Sequence, residues 1–258
     1  MFTAPPVDLT ASGSVASEGV GAVELSGDAQ ATGEVRAALE SLVAGGPVSY
    51  SWLAVTESDA AHSMVSRTGR WDGSTRSGHL STEITMVEAS TRVDPLGQAA
   101  AALGDGGETR SGQYTMTVSE GELVVEANGG EPEVVPAGPQ AEEWIAVLDP
   151  NVTLLAPLLI ELGAVERGEP TAAGMSYRVA LDGDVVAPLG VESSLKERLE
   201  ATGFDGVTGI EVPATVVIDS AGAVTIRIDL TPWWAAVKAE GPAVPTTTAT
   251  VELSFQFE

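Results

Sequence analysis

The chain has 258 residues, 43% of them hydrophobic and 5% aromatic, a globular composition that excludes general disorder. It carries 37 acidic and 12 basic residues, a formal net charge of −25, spread along the chain, and such a surface repels nucleic acid phosphates and anionic lipid headgroups. The absence of Cys excludes disulfides, thiolate metal sites and catalytic thiol chemistry.

Residues 1–31 are rich in Ala, Gly, Ser, Pro and Val and read as a flexible tail or tether, with a weak strand around Val20 to Leu25. Gly33 to Val43 reads as a helix, because Val35, Leu39 and Leu42 share one face and Gly45-Gly46-Pro47 stops it. A β-rich region follows. Val48, Tyr50, Trp52 and Ala54 alternate with Ser49, Ser51 and Leu53, and Ser63 to Arg70 forms a second run, with Asp72-Gly73 as a turn signal. Leu80, Ile84 and Met86 alternate with Ser81, Glu83 and Thr85. Tyr114, Met116 and Val118 do so with Thr115 and Thr117, and Glu120-Gly121 leads into Leu123-Val124-Val125. Ala127 to Gln140 is rich in Gly and Pro and reads as loop.

Ala141 to Ala164 abandons the period of two and reads as helical, with Pro157 starting or kinking a helix. Met175, Tyr177, Val179 and Leu181 restore strand alternation, which Asp182-Gly183 ends as a hairpin turn. Ser193 to Thr202 reads as a short helix, capped by Ser194 and stopped by Gly203. Val212 to Asp219 and Val224 to Leu230 alternate on either side of the turn Ser220-Ala221-Gly222, so they pair antiparallel. Val251, Leu253, Phe255 and Phe257 give the last strand. No linker divides residues 32–258, which read as one α+β domain with helices on one face of a largely antiparallel sheet.

Motifs for chemistry are sparse. Phosphate-binding glycine loops and the nucleophile elbow are missing, and His62 and His79 are the only histidines. Asp182-Gly183-Asp184 lacks the rest of a calcium loop. The pairs Glu142-Glu143 and Glu131/Glu133 are what chance supplies among 37 acids. No catalytic residue, metal ligand or cofactor is therefore assigned. No apolar run reaches the roughly 20 residues needed to span a bilayer: Val152 to Val165 is interrupted by Thr153, Pro157 and Glu161. Met1 to Pro6 lacks the basic start and apolar run of a signal peptide.

The second half of the chain resembles a known pattern. Asp149-Pro150-Asn151-Val152-Thr153-Leu154-Leu155 is similar to the segment that opens the Leu-rich helix of the LppX/LprG lipoproteins of actinobacteria, within the wider LolA-like group. Arg167 to Val179 resembles the strand region that follows there, and Val212 to Ile228 its penultimate hairpin. The resemblance implies a curved antiparallel half-barrel with helices packed on its concave face and an apolar cavity for acyl chains between them. It implies carriage of a lipid or acylated ligand without chemistry and an extracytoplasmic place in the cell envelope. Many members are anchored through a lipidated N-terminal Cys, which this sequence lacks, so either the anchor lay in a removed N-terminal segment or this member is not lipidated.

On that reading the cavity walls would be Trp52, Leu80, Ile84, Met86, Met116, Val216, Ile218, Ile226 and Ile228 from the strands, and Leu155, Leu158, Leu159 and Leu162 from the helix. The helix is apolar almost all round, so its surface is expected to be buried on two sides. The flexible thioethers of Met86 and Met116 suit varied acyl chains. Trp233 and Trp234, following Pro232, would sit near the rim on a helical turn or seal the end of the core. A monomer is expected. The alternatives are an envelope sensor or interaction module on the same fold without lipid and, from the residues alone, a hydrolase with an unrecognised carboxylate pair.

Overall fold

The computed structural model describes residues 25–44, 46–58, 61–88, 109–160, 162–189, 209–240 and 247–257. The helix expected at Ser193 to Thr202 lies outside them, as does all but Leu25 of the weak strand at Val20 to Leu25. Asp28 opens the first helix, α1 (Ala29–Ala44). Its carboxylate accepts the backbone N–H of Gln30 at 2.8 Å and of Ala31 at 3.3 Å, donors that have no partner within the helix. This cap sets the start at Ala29 rather than at Gly33. The buried face is Val35, Leu39 and Leu42, the stripe read from the sequence, extended by Ala31, which composition alone assigns to the tail.

Eleven strands follow: β1 (Val48–Ser58), β2 (Ala61–Asp72), β3 (Ser77–Glu88), β4 (Thr109–Ser119), β5 (Glu122–Ala127), β6 (Glu133–Val135), β7 (Leu162–Thr171), β8 (Gly174–Asp182), β9 (Glu211–Ile218), β10 (Val224–Asp229) and β11 (Thr247–Phe257). They form one sheet in the order β6-β5-β4-β3-β2-β1-β11-β10-β9-β8-β7, with antiparallel pairings throughout. With its helices this is the expected α+β class, an open antiparallel half-barrel. Glu120 and Gly121 both have positive φ, 53° and 82°, the geometry that lets a two-residue turn match the strand twist. Asp219 holds the β9–β10 turn by accepting the N–H groups of Ala221 and Ala223 at 2.7 and 2.9 Å.

Four further helices are α2 (Pro139–Leu148), α3 (Ala156–Ile160), α4 (Gly183–Val186) and α5 (Thr231–Glu240). A π-helical turn, Asn151–Leu155, runs directly into α3, and its axis with α3 is bent 71° from α2. Asp149 makes that corner. Its side chain accepts the Asn151 N–H at 2.9 Å, and its carbonyl accepts the Thr153 hydroxyl at 2.9 Å.

Three boundaries differ from expectation. The Gly/Pro-rich stretch Ala127 to Gln140 contains β6 and the first residues of α2. The helical region ends at Ile160, and Leu162 begins β7, whose alternation is obscured by two register shifts. Asp182-Gly183 does not turn a hairpin. The Asp182 side chain accepts the Asp184 N–H at 2.8 Å and caps α4.

Residues directly opposite across the ladders share a face, so inward positions form rows. One row runs Tyr114, Thr82, Arg67, Trp52, Leu253, Ile226, Val216, Tyr177, Arg167. Helix α1 lies over β7, β9 and β11, α5 over β9 and β11, and α2 over β2 and β3. The Tyr50 hydroxyl donates to the Leu148 carbonyl at 3.0 Å and fastens the end of α2 to the sheet. Its ring lies over Gly69, directly opposite in β2, where a Cβ would stand 2.5 Å from the ring's Cζ.

Candidate functional site: an unevenly covered inner face

The two wings of the sheet are covered differently. On the β8–β11 wing the inward residues Val216, Val224, Ile226, Ile228, Val251 and Leu253 are all buried. Leu155 and Leu158 join them, together with Trp52, Leu80 and Met116, in one contiguous apolar cluster. Leu159, Leu162 and Ile218 pack against it partly buried. Leu162 arrives from β7, not from the helix. Trp233 and Trp234 are both buried in the same cluster, edge to face with centroids 5.2 Å apart, and Trp233 Nε1 donates to Asp184 Oδ1 at 3.2 Å.

Over β2–β5 the cover thins. Val65, Ile84, Tyr114 and Val125 point inward but are only partly buried. Met86 lies two residues beyond Ile84 in β3, opposite Ser63, and its side chain is outside those described. The lower end of the same wing is closed by Val48, Trp71, Leu80, Val118 and Leu123, with Ile145 and Leu148 of α2. The partly open region therefore occupies the middle and upper levels of β2–β4.

Three polar groups stand at its floor. Trp52 and Thr82 are 8% and 0% exposed, and neither Trp52 Nε1 nor Thr82 Oγ1 has a hydrogen-bond partner. Arg67 lies between them in the ladder and is partly buried. Its guanidinium carbon is 4.4 Å from the centroid of a Trp52 ring, and its Nε is also unpartnered. Sequence reasoning assigned Trp52 and missed the other two. Thr82 lies in the same phase as Leu80 and Ile84, and a polar residue in an apolar phase is the signal that marks it.

The opposite wing shows what a satisfied arginine looks like. Arg167, at the far end of the same row, pairs with Glu34 of α1, and the Tyr177 hydroxyl donates to Glu34 at 2.7 Å. These hydrogen bonds, Tyr177 foremost, hold the Glu34 carboxyl below its ordinary range. Burial, and then the bond to Glu34, push Tyr177 up to about 12. Tyr50 is raised well above the ordinary tyrosine range by burial, which outweighs the nearby Arg67 charge.

The paired-carboxylate idea finds no dyad at Glu142, which pairs with Arg76 at 2.7 Å beside a surface cleft of about 300 Å³ lined in part by Ser74, Val118 and Ile145. Among the described residues no three His, Asp or Glu side chains converge as a metal site requires. The expectation that the Leu154–Leu162 stretch is buried on both sides is corrected: Ile160 is 75% exposed, and with Val152 of the π-helical turn and Trp144 and Val147 of α2 it leaves apolar surface on this side. The helix stops at Ile160, whose side chain faces solvent while Leu155 and Leu158 face the core.

No protein-family model and no curated protein matches the chain. Among solved structures it is similar to the crystal structure of LprF from Mycobacterium bovis, at 14% identity and a TM-score of 0.38, over 87% of this chain and 92% of that one.

Proposed function

We propose that the protein binds a lipid or other acylated ligand, without altering it, in the apolar space between β1–β5 and the helices, and carries it within the cell envelope. The observation that carries this reading is the uneven cover of one continuous apolar face. Val216, Ile226 and Ile228 are sealed by α1 and α5, whereas Val65, Ile84, Tyr114 and Val125 keep exposed area on the same face. An acyl chain laid over them completes the cover, each buried methylene contributing about 0.8 kcal/mol. The resemblance of Asp149 to Leu155 and Val212 to Ile228 to the LppX/LprG lipoproteins supports the same reading, including an extracytoplasmic location and an anchor preceding this chain. The tether would then end before Asp28, where α1 is capped, rather than at residue 31, and the carrier domain would begin there.

Carriage needs only transfer between apolar sites. Helix α2 and the bent segment after it are the natural cover; among the described residues the Tyr50–Leu148 hydrogen bond and the exposed Arg76–Glu142 pair tie α2 to the sheet. Native mass spectrometry of the protein extracted gently from producing cells tests this: a co-purifying acyl compound is expected. Protein free of lipid that also fails to take up a neutral acyl probe overturns it.

The exposed apolar residues Trp144, Val147, Val152 and Ile160 favour a second reading, a protein-interaction module on the same fold. It predicts lipid-free protein and loss of partner binding on Ile160→Ser.

A further inference from the structure

Building on the acyl-carrier reading, we propose that the bound ligand has an anionic head, a carboxylate or a phosphate, and that Arg67 receives it with Thr82 and Trp52 beside it. Arg67 is an inward residue in the middle of β2. Directly opposite are Trp52 and Thr82, and the levels above and below carry Val65, Gly69, Leu80 and Ile84, none of them acidic. Asp149, whose charge reaches Tyr50 as that of Arg67 does, gives its carboxylate to the Asn151 N–H.

Arg67 combines partial burial with the lack of a carboxylate partner among the described residues. Arg76, Arg167 and Arg178 each pair with a glutamate, and Arg36 and Arg227 are exposed to water. In a chain with 37 acids, a partly buried guanidinium that meets none of them among the described residues is a local exception to the whole surface. Taking a cation out of water without a partner is unfavourable, and stacking on Trp52 compensates only part of that.

The chemistry of the unpartnered atoms sets the ligand class. Arg67 Nε and Trp52 Nε1 are donors with no acceptor capacity, and Thr82 Oγ1 donates as well as accepts. A donor-rich floor calls for an acceptor-rich group. The guanidinium carbon sits 4.4 Å from the Trp52 ring centroid, and a guanidinium held against an indole keeps the fork of donors that suits a carboxylate or phosphate. The acidic exterior disfavours anionic membranes at long range, so this recognition acts only inside the sheet's inner face, where Val65 and Ile84 receive the chain.

The test compares ligands matched in chain and differing in head: 1-oleoylglycerol, 1-oleoylglycerol 3-phosphate and oleate, each titrated by displacement of the neutral probe Nile red. The two anions are expected to bind on the order of tenfold tighter than 1-oleoylglycerol, the scale of a charge-assisted hydrogen bond. Arg67→Met should remove that preference. Arg67→Lys should keep part of it, and Thr82→Val should weaken it with the charge intact; these two keep the proposal testable if Arg67→Met does not fold. Equal affinity for the three ligands, or a preference that survives Arg67→Met, overturns the proposal while leaving the carrier reading standing. Failure of all three to displace the probe overturns the carrier reading and this proposal with it. Binding of inorganic phosphate alone as tight as that of the oleoyl phosphate overturns the acyl-linked form in favour of a free-anion site.

Discussion

Gly69→Ala tests the packing logic of the β1–β2 pair directly. The Tyr50 ring lies over the bare Cα of Gly69, and an alanine Cβ would stand 2.5 Å from Cζ, 2.7 Å from Oη and 2.8 Å from Cε1. Carbon atoms in comfortable contact are about 3.5–4 Å apart, so the ring must retreat by roughly 1 Å. Its hydroxyl is 3.0 Å from the Leu148 carbonyl, and a retreat of that size breaks the bond. Overpacking costs about 1–3 kcal/mol and the lost hydrogen bond about 1 kcal/mol. Replacing a strand glycine returns roughly 0.5–1 kcal/mol. The net expectation is about 2 kcal/mol of destabilisation in urea unfolding. Gly112→Ala, on the same inner face opposite Ile84, is the control: the nearest atom to its Cβ is Asn128 Oδ1 at 3.9 Å, so the change should be neutral or slightly stabilising. Removing the ring with Tyr50→Val should suppress most of the Gly69→Ala effect in a double-mutant cycle. Equal stabilities for Gly69→Ala and Gly112→Ala, within about 0.5 kcal/mol, would refute the reasoning.

Three further outcomes follow from the core and its charges. Phe255, 1% exposed and opposite both Tyr50 and Val224, should cost about 3–5 kcal/mol when truncated to Ala, measured by denaturant unfolding. Tyr177 keeps its proton to about 12 in the folded chain, against 10.0 for an ordinary tyrosine. The unfolded state therefore loses this proton first, and stability falls as pH rises from about 10 toward 12. Tyr177→Phe should flatten that fall in urea midpoints taken across the window. Part of the slope will remain, since Tyr50 is raised too. Arg178 pairs with Glu166 at 2.6 Å but is 61% exposed, so Arg178→Ala should shift the midpoint by no more than about 0.5 kcal/mol in physiological salt.

The sequence made some levels of this structure readable and hid others. Period-two runs at Val48–Ala54, Tyr114–Val118 and Val212–Ile218 became strands because each has one buried face, and that burial is what alternation records. β7 was not legible: Leu162-Gly163-Ala164-Val165 continues the composition of the helix before it, and two register shifts spoil the alternation that distinguishes a strand. α1 was placed four positions late because its stop and stripe were weighed and its Asp28 cap was not. Of the candidate site, the wall residues were legible as apolar phases, but not which wing the helices seal. That depends on pairings between segments far apart in the chain. Arg67 was overlooked because the run Ser63 to Arg70 is polar on both sides, so only its register against Trp52 and Thr82 fixes its face.

The position of β11 has a consequence for how the molecule forms. β1 to β6 make one meander of neighbouring pairs and β7 to β11 another, and the two meet only at the β1–β11 pairing. Both halves can assemble from short-range contacts, but the central pairing joins Val48 to Phe257 and waits until every other strand has been made. Closure of so long a loop sets a slow step, and until it occurs β1 and β11 each offer an unpaired edge to other chains. The vulnerable species in refolding is therefore a pair of half-sheets. Added peptide spanning Thr247–Phe257 should compete for the open β1 edge and slow productive closure in a concentration-dependent way.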